Sequence, residues 1–194
     1  MSQQHRREAA IAGHEGDEAT ARRLTSDADP AVRATALGAL ARAGALHAAD
    51  VERALADEDA AVRRRACEEA AAVGGVDLVP MLSDDEPSVA EAAAWALGER
   101  GADAAVAVGA LTTVAREHDD ALCREAAVAA LGAIGDRRGL EAVLAAASGD
   151  RPAVRRRAVV ALAAFDGPEV DAALQQALND RDWQVRQAAE DLLD

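Results

Sequence analysis

Small apolar residues recur along this chain at helical spacing, most clearly in Cys123–Asp136, CREAAVAALGAIGD. Counted from Cys123 as position 0, the pattern is V-R-x-x-A-A-x-A-L-G-x-I-G over positions 0 to 12. It returns with position 0 at Gln4 (a degenerate copy), Val32, Val62, Val89, Cys123, Val154 and Val185, at spacings of 28, 30, 27, 34, 31 and 31 residues. Position 4 is Ala36, Ala66, Ala93, Ala127, Ala158 and Ala189, and position 8 is Leu40, Ala70, Leu97, Leu131, Leu162 and Leu193. At about 100° per residue, positions 0, 4, 7 and 11 fall on one side of a helix with position 8 on its flank. Positions 2, 6 and 10 point the opposite way. The repeat therefore predicts a series of amphipathic helices, called B here, near 4–15, 30–43, 60–73, 87–100, 121–134, 152–165 and 182–193.

Turn-and-cap clusters precede the B helices: TSDADP, DEDA, SDDEP, HDD, GDRP and NDRDW. Asp and Asn there can accept hydrogen bonds from the first helix amides, and their charge suits a helix N-terminus. Pro30, Pro87 and Pro152 sit two residues before position 0, where a first turn tolerates a missing N–H. Gly44, Gly74, Gly101 and Gly135 suit left-handed caps at the other end. Shorter helical segments, A, are expected near 17–25, 46–56, 76–82, 103–117, 137–147 and 168–178. A period of about 30 residues built of helix pairs predicts an all-α, right-handed α-solenoid. The expectation is about six stacked antiparallel pairs plus an N-terminal half-repeat, in one continuous array over 1–194.

Composition supports helices packed closely on one another. Hydrophobic residues are 51% of the chain but aromatics 2%, namely Trp95, Phe165 and Trp183. Ala supplies much of the rest and is the best helix former. The net charge is −14, and all 21 basic residues are Arg. That charge favours solubility and opposes non-specific attraction to nucleic acid or anionic lipid. No apolar run reaches the roughly 20 residues that span a bilayer, and the start, MSQQHRREAA, lacks a signal core and reads as helix. Cys67 and Cys123, far apart on helix faces, suggest buried hydrophobes in a reducing cytoplasm rather than a disulfide framework or a metal site.

The motif D-x-D-P-x-V-R-x-x-A-x-x-A-L-G-x-I-G resembles HEAT-like repeats of the short class named after phycobilisome lyase subunits. DPAVRATALGAL, DEPSVAEAAAWALGERG and REAAVAALGAIGD carry most of it, and the resemblance runs from Arg6 to the C-terminus. It implies the solenoid fold and leaves function open, since the class includes chromophore lyases, metal hydroxylases, DNA-repair proteins and plain scaffolds. The family's Arg at position 1 is matched by Arg33, Arg63, Arg124, Arg155 and Arg186. With Asp29, Asp59, Asp120 and Asp182, three residues before position 0, these imply a ladder of ion pairs between repeats. Ala90 interrupts it, and Arg151 stands where the fifth acid would be.

In a solenoid of this kind positions 2, 6 and 10 of helix B line the concave surface, which repeat proteins commonly use for binding. They carry Arg6, His14, Arg42, Arg64 and Glu68 in the first half. Glu91, Trp95, Glu99 and Glu125 follow in the centre, then Arg156, Gln187 and Asp191, with Arg7, Arg65 and Arg157 beside them at position 3. Trp95 departs from the small or acidic residues of other copies, and Trp is enriched at binding hot spots. Trp183, at the start of the last helix, reads as a packing or end-capping residue. The seven B windows hold 13 Arg against 11 acids and the remainder 8 Arg against 24. The groove is thus mixed, basic at its flanks and acidic around Trp95, which suits a protein or peptide partner with complementary patches.

The expected function is a non-enzymatic protein- or peptide-binding scaffold, a monomer or weakly self-associating, with no cofactor or metal. Trp95, Glu91, Glu99, Glu125, Arg64, Glu68 and Arg156 are the candidate partner-binding residues. A second reading is an anion or nucleic-acid binder through Arg64, Arg65, Arg156 and Arg157; a third is a lyase-like or chaperone subunit acting on another protein. Deoxyhypusine hydroxylase, on a similar scaffold, holds iron with several His-Glu pairs, whereas this chain has one, His14-Glu15. Repair glycosylases of this architecture pair a basic groove with Trp and an acid. Here the centre is acidic, which repels phosphate. Ser is sparse and no nucleophile sits beside a His in the pattern, so two-cysteine or Ser-His-Asp catalysis has no support.

Overall fold

Each copy of the apolar pattern is a helix. The computed structural model describes residues 2–193, and Met1 and Asp194 lie outside them. The helices on the B pattern are α1 (Ser2–Glu15), α3 (Pro30–Arg42), α5 (Ala60–Ala70), α6 (Pro87–Glu99), α8 (Ala121–Ile134), α10 (Pro152–Ala161) and α12 (Trp183–Leu193). Between them lie α2 (Glu18–Leu24), α4 (Ala48–Leu55), α7 (Val108–Glu117), α9 (Leu140–Gly149) and α11 (Pro168–Ala177). Among the described residues there is no strand. The third A segment is a 3₁₀ turn, Val79–Ser83, with Pro80 near its start. The long fourth one begins as 3₁₀ helix, Gly101–Ala107, before α7.

The starts and stops have local causes. Asp29, Asp59, Asp120 and Asp182 cap α3, α5, α8 and α12, accepting from the amides of Ala31, Ala61, Leu122 and Gln184 at 2.7–2.9 Å. Gly135 ends α8 in the left-handed region, at φ 68°. After α5 the left-handed residue is Gly75 at φ 81°, not Gly74. The helix closes three residues earlier than the pattern predicts. Ala71, Ala72 and Val73 turn instead through bonds to Glu68, Glu69 and Ala70, the i−3 spacing of a tightened last turn.

The chain divides into two compact units, Met1–Ala96 and Leu97–Asp194. In the first, α1 packs on α3 and α3 on α5, with α2 and α4 against them. In the second, α8 packs on α10 and α10 on α12, while α7, α9 and α11 form the second layer. From the second copy onward, position 0 and position 4 residues are buried, as are Leu37, Leu40, Val128, Leu131, Val159 and Leu162. Adjacent B helices approach to backbone contact where position 9 is Gly. A Cβ built on Gly13 would lie 2.6 Å from Ala39 Cα, and one on Gly132 would lie 2.6 Å from Ala161 Cβ and 2.9 Å from its Cα.

The arginine ladder exists, with a different acid from the one expected. Arg33 grips Asp57 through Nε (2.8 Å) and Nη2 (2.6 Å). Arg63 does the same with Asp84, Arg124 with Asp150 and Arg155 with Asp180, at 2.7–2.9 Å. The third nitrogen, Nη1, donates to carbonyls in the arginine's own turn, for example Arg63 to Asp57 O (2.9 Å) and Glu58 O (3.0 Å). One guanidinium thus ties two successive turns together, a task that needs the planar five-donor fork. The acid three residues before position 0 is occupied as the helix cap. In most turns the receiver lies two residues before that cap and also accepts the cap residue's own amide, as Asp57 does from Asp59 at 2.9 Å. Where Arg is replaced by Ala90, the equivalent receiver of the next copy is His118 in place of Asp. His118 Nδ1 still accepts the Asp120 amide at 3.1 Å. At the other end of the series His5 occupies position 1 and meets Asp27 at 2.7 Å.

The Arg63, Arg124 and Arg155 guanidiniums hold the carboxyls of Asp84, Asp150 and Asp180 below the usual range. For Asp57 burial works upward, but the Arg33 bonds and the Asp59 amide outweigh it and the pKa is lowered.

Candidate functional site

Helix geometry places Glu91, Trp95 and Glu99 four residues apart on one face of α6. The Trp95 side chain is 47% exposed, where Ala92, Ala93, Ala94 and Ala96 around it are buried. Glu91 is half-buried and Glu99 exposed. Two carboxylates a turn above and below surround the Trp95 indole with negative charge.

The other expected site residues fall on three helices. On α5, Arg64 lies 3.6 Å from Glu68, so these two are together. Arg65 reaches Glu69 at 2.5 Å and Glu68 at 3.5 Å. Its guanidinium lies over Gly38: a Cβ there would stand 2.2 Å from Nη2. On α8, Glu125 is half-buried and its carboxylate lies 3.5 Å from Arg157 Nε, on α10, rather than beside Arg156. The Nε atoms of both Arg65 and Arg157 are buried without a hydrogen-bond partner. Arg156 is half-buried and makes no ion pair among the described residues. Three of the four arginines that an anion would need, Arg64, Arg65 and Arg157, therefore already face carboxylates of their own chain.

Three features escaped the sequence reading. Leu122 is 58% exposed and lines, with Asp119, Asp120, Glu125 and Arg151, a groove of about 430 Å³ at the starts of α8 and α10. Its signal was an apolar residue at position −1, outside the periodic face. Val106, in the 3₁₀ segment before α7, is also strongly exposed. On α2, Arg22 bonds Asp50 at 2.7 and 2.9 Å and Ala45 O at 2.9 Å, a tie between A segments that the B-centred motif does not contain.

The residues of chemical interest are quiet. Burial pushes the Cys67 thiol up to about 12, so it stays protonated near neutrality. His14, of the single His-Glu pair, is exposed. Among the described residues no three His, Cys, Asp or Glu side chains are grouped to hold a metal ion. No helix of the described residues is long and apolar enough to cross a membrane.

Comparison with known proteins agrees with the geometry of the repeats. Residues 108–194 match the family model for HEAT repeats. No curated protein sequence is significantly similar to the chain. Among solved structures, an engineered protein from a structural genomics consortium is 22% identical with a TM-score of 0.66, over 91% of this chain and 97% of its own. The CpcE–CpcF complex of phycocyanin lyase from Nostoc sp. PCC7120 is also 22% identical, with a TM-score of 0.62 over 91% of this chain and 75% of that one. A designed armadillo repeat protein in complex with the peptide (KR)4 is 16% identical with a TM-score of 0.54, covering 98% and 89%. The chain has the α-solenoid fold of these structures, and its residues 108–194 match HEAT repeats.

Proposed function

We propose that this chain is a non-enzymatic scaffold that binds a basic, extended segment of a partner protein on the face of α6 made by positions 2, 6 and 10. Trp95 is the anchor, and Glu91 and Glu99 select cationic side chains on either side of it. Arg64 and Glu68, on α5 of the first unit, supply further polar contacts. The observation that carries this reading is a nearly half-exposed Trp, between two carboxylates on one helix face, in a chain with three aromatic residues in all. Trp faces attract Lys and Arg, and acids a turn away add to the attraction. A designed repeat protein of similar fold, solved with an alternating Lys-Arg peptide, supports the class of ligand.

A fluorescein-labelled octapeptide of alternating Lys and Arg, followed by anisotropy against the full chain, tests this. Truncating a true hot spot costs about 2 kcal/mol, so Trp95→Ala should weaken binding about 30-fold. Glu91→Gln and Glu99→Gln should each weaken it several-fold and flatten its salt dependence, while Trp183→Ala leaves it alone. Equal affinity for wild type and Trp95→Ala rejects the anchor.

A further inference from the structure

The first unit carries an uncommitted cationic groove well removed in sequence from Trp95. Gln3, Gln4, Arg6, Arg7 and Ala10 of α1 and Thr35 of α3 line an open cleft of about 700 Å³. Acids outnumber basic residues 35 to 21 in this chain, and most of its arginines are drawn into ion pairs. Arg6 and Arg7 are adjacent and exposed, and neither has an acid partner among the described residues. Glu8, the acid next to them in sequence, is paired with Arg23, and Asp27 is paired with His5 on the same helix. None of them lines the cleft.

We infer that this cleft is a docking subsite for an acidic segment of a partner protein, with Arg6 and Arg7 taking carboxylates and Gln3, Gln4 and Thr35 taking the segment's backbone. Paired arginine forks match carboxylate geometry, and Gln amides both donate and accept. Thr35 decides between peptide and phosphate. Its hydroxyl proton is spent on Ala31 O, 2.6 Å away, so toward the cleft the oxygen offers lone pairs alone. A peptide N–H can use them; a phosphodiester, which has acceptors alone at its backbone, cannot. The lining also contains no aromatic residue on which a base could stack, and the −14 charge of the whole chain opposes a long polyanion. The subsite is independent of the Trp95 reading and takes the opposite charge.

The test is anisotropy of a labelled Glu-rich decapeptide against the intact protein at low salt. Binding should weaken at least tenfold in an Arg6→Glu/Arg7→Glu double variant of unchanged circular dichroism, and several-fold in Thr35→Val. Arg181→Glu, an exposed arginine elsewhere, should change it less than twofold. Absence of binding, or equal loss with Arg181→Glu, overturns the subsite. Inorganic polyphosphate or duplex DNA binding more tightly than the peptide, dependent on Arg6 and Arg7 and indifferent to Thr35→Val, overturns the peptide assignment in favour of phosphate. Light scattering showing a dimer that the double variant dissolves overturns it in favour of a second copy of this chain.

Discussion

Two glycines show how much one methyl group decides in helices packed this closely. Gly→Ala inside a helix ordinarily gains up to about 1 kcal/mol. At Gly132 the new Cβ would meet Ala161 at 2.6 Å (Cβ) and 2.9 Å (Cα), and moving a helix backbone to make room costs about 1–3 kcal/mol. Gly132→Ala should therefore be destabilising on balance and lower the melting temperature by a few degrees. At Gly109, on an exposed part of α7, nothing lies within 4 Å of the added carbon. Gly109→Ala should raise the melting temperature by about 1–2 °C for roughly 0.5 kcal/mol. Calorimetry on the two variants checks both signs. At the same scale, Cys67 should resist iodoacetamide in the native protein at pH 8, since its thiol is buried and titrates at about 12. It should react only after unfolding, and mass spectrometry of native and denatured samples separates these outcomes.

Between elements, the guanidinium clamps differ from the ion pairs on the surface. Arg155 and Asp180 have side chains 4% and 14% exposed, while Arg116 and Glu141, 44% and 82% exposed, pair at 3.2 Å. Removing one partner of a buried pair costs about 3 kcal/mol or more because the other is left uncompensated. An exposed pair contributes less than about 1 kcal/mol. Arg155→Met should therefore lower the urea midpoint strongly, and Arg116→Met barely; denaturation of both against wild type is the measurement. The ladder was legible in the recurring Val-Arg, but not its second half. Four of the six turns hold two carboxylates two residues apart, and spacing alone does not say which caps the helix and which faces the neighbour. The structure gives the cap to the acid next to the helix because its oxygen reaches the N2 amide, leaving the earlier one for the arginine. The outward direction of Trp95 followed from its register in the repeat. That Arg65 lies in the notch at Gly38 and Arg157 over Glu125 did not follow, because a long flexible side chain chooses among several contacts of similar energy. The helix expected at 76–82 became a 3₁₀ turn because five residues containing Pro80 are too short to propagate an α-helix.

For the whole molecule, charge and ladder pull stability in opposite directions as pH falls. At pH 7 the chain carries −14, and self-repulsion at that charge opposes the compact state. Lowering the pH toward the isoelectric point near 4.7 relieves this repulsion. The ladder acts further down. Asp84, Asp150 and Asp180 have folded pKa values below that of an unfolded Asp, about 3.9. Their stabilisation is therefore fully present above pH ~4 and is lost as pH falls through the depressed values, where the folded state must take up protons it holds weakly. The sum is a stability maximum on the acid side of neutrality, at about pH 5–6, followed by a steep cooperative loss below pH 4. Salt should separate the two contributions, since it screens exposed charges far more than the half-buried ladder. At pH 7, 0.5 M NaCl should raise the melting temperature, and near the isoelectric point the same salt should have little effect. Thermal melts by circular dichroism at four pH values, each with and without salt, measure this directly. A melting temperature that falls steadily from pH 8 to 5, or that drops with salt at pH 7, would mean that exposed ion pairs rather than the buried clamps dominate the electrostatics of this fold.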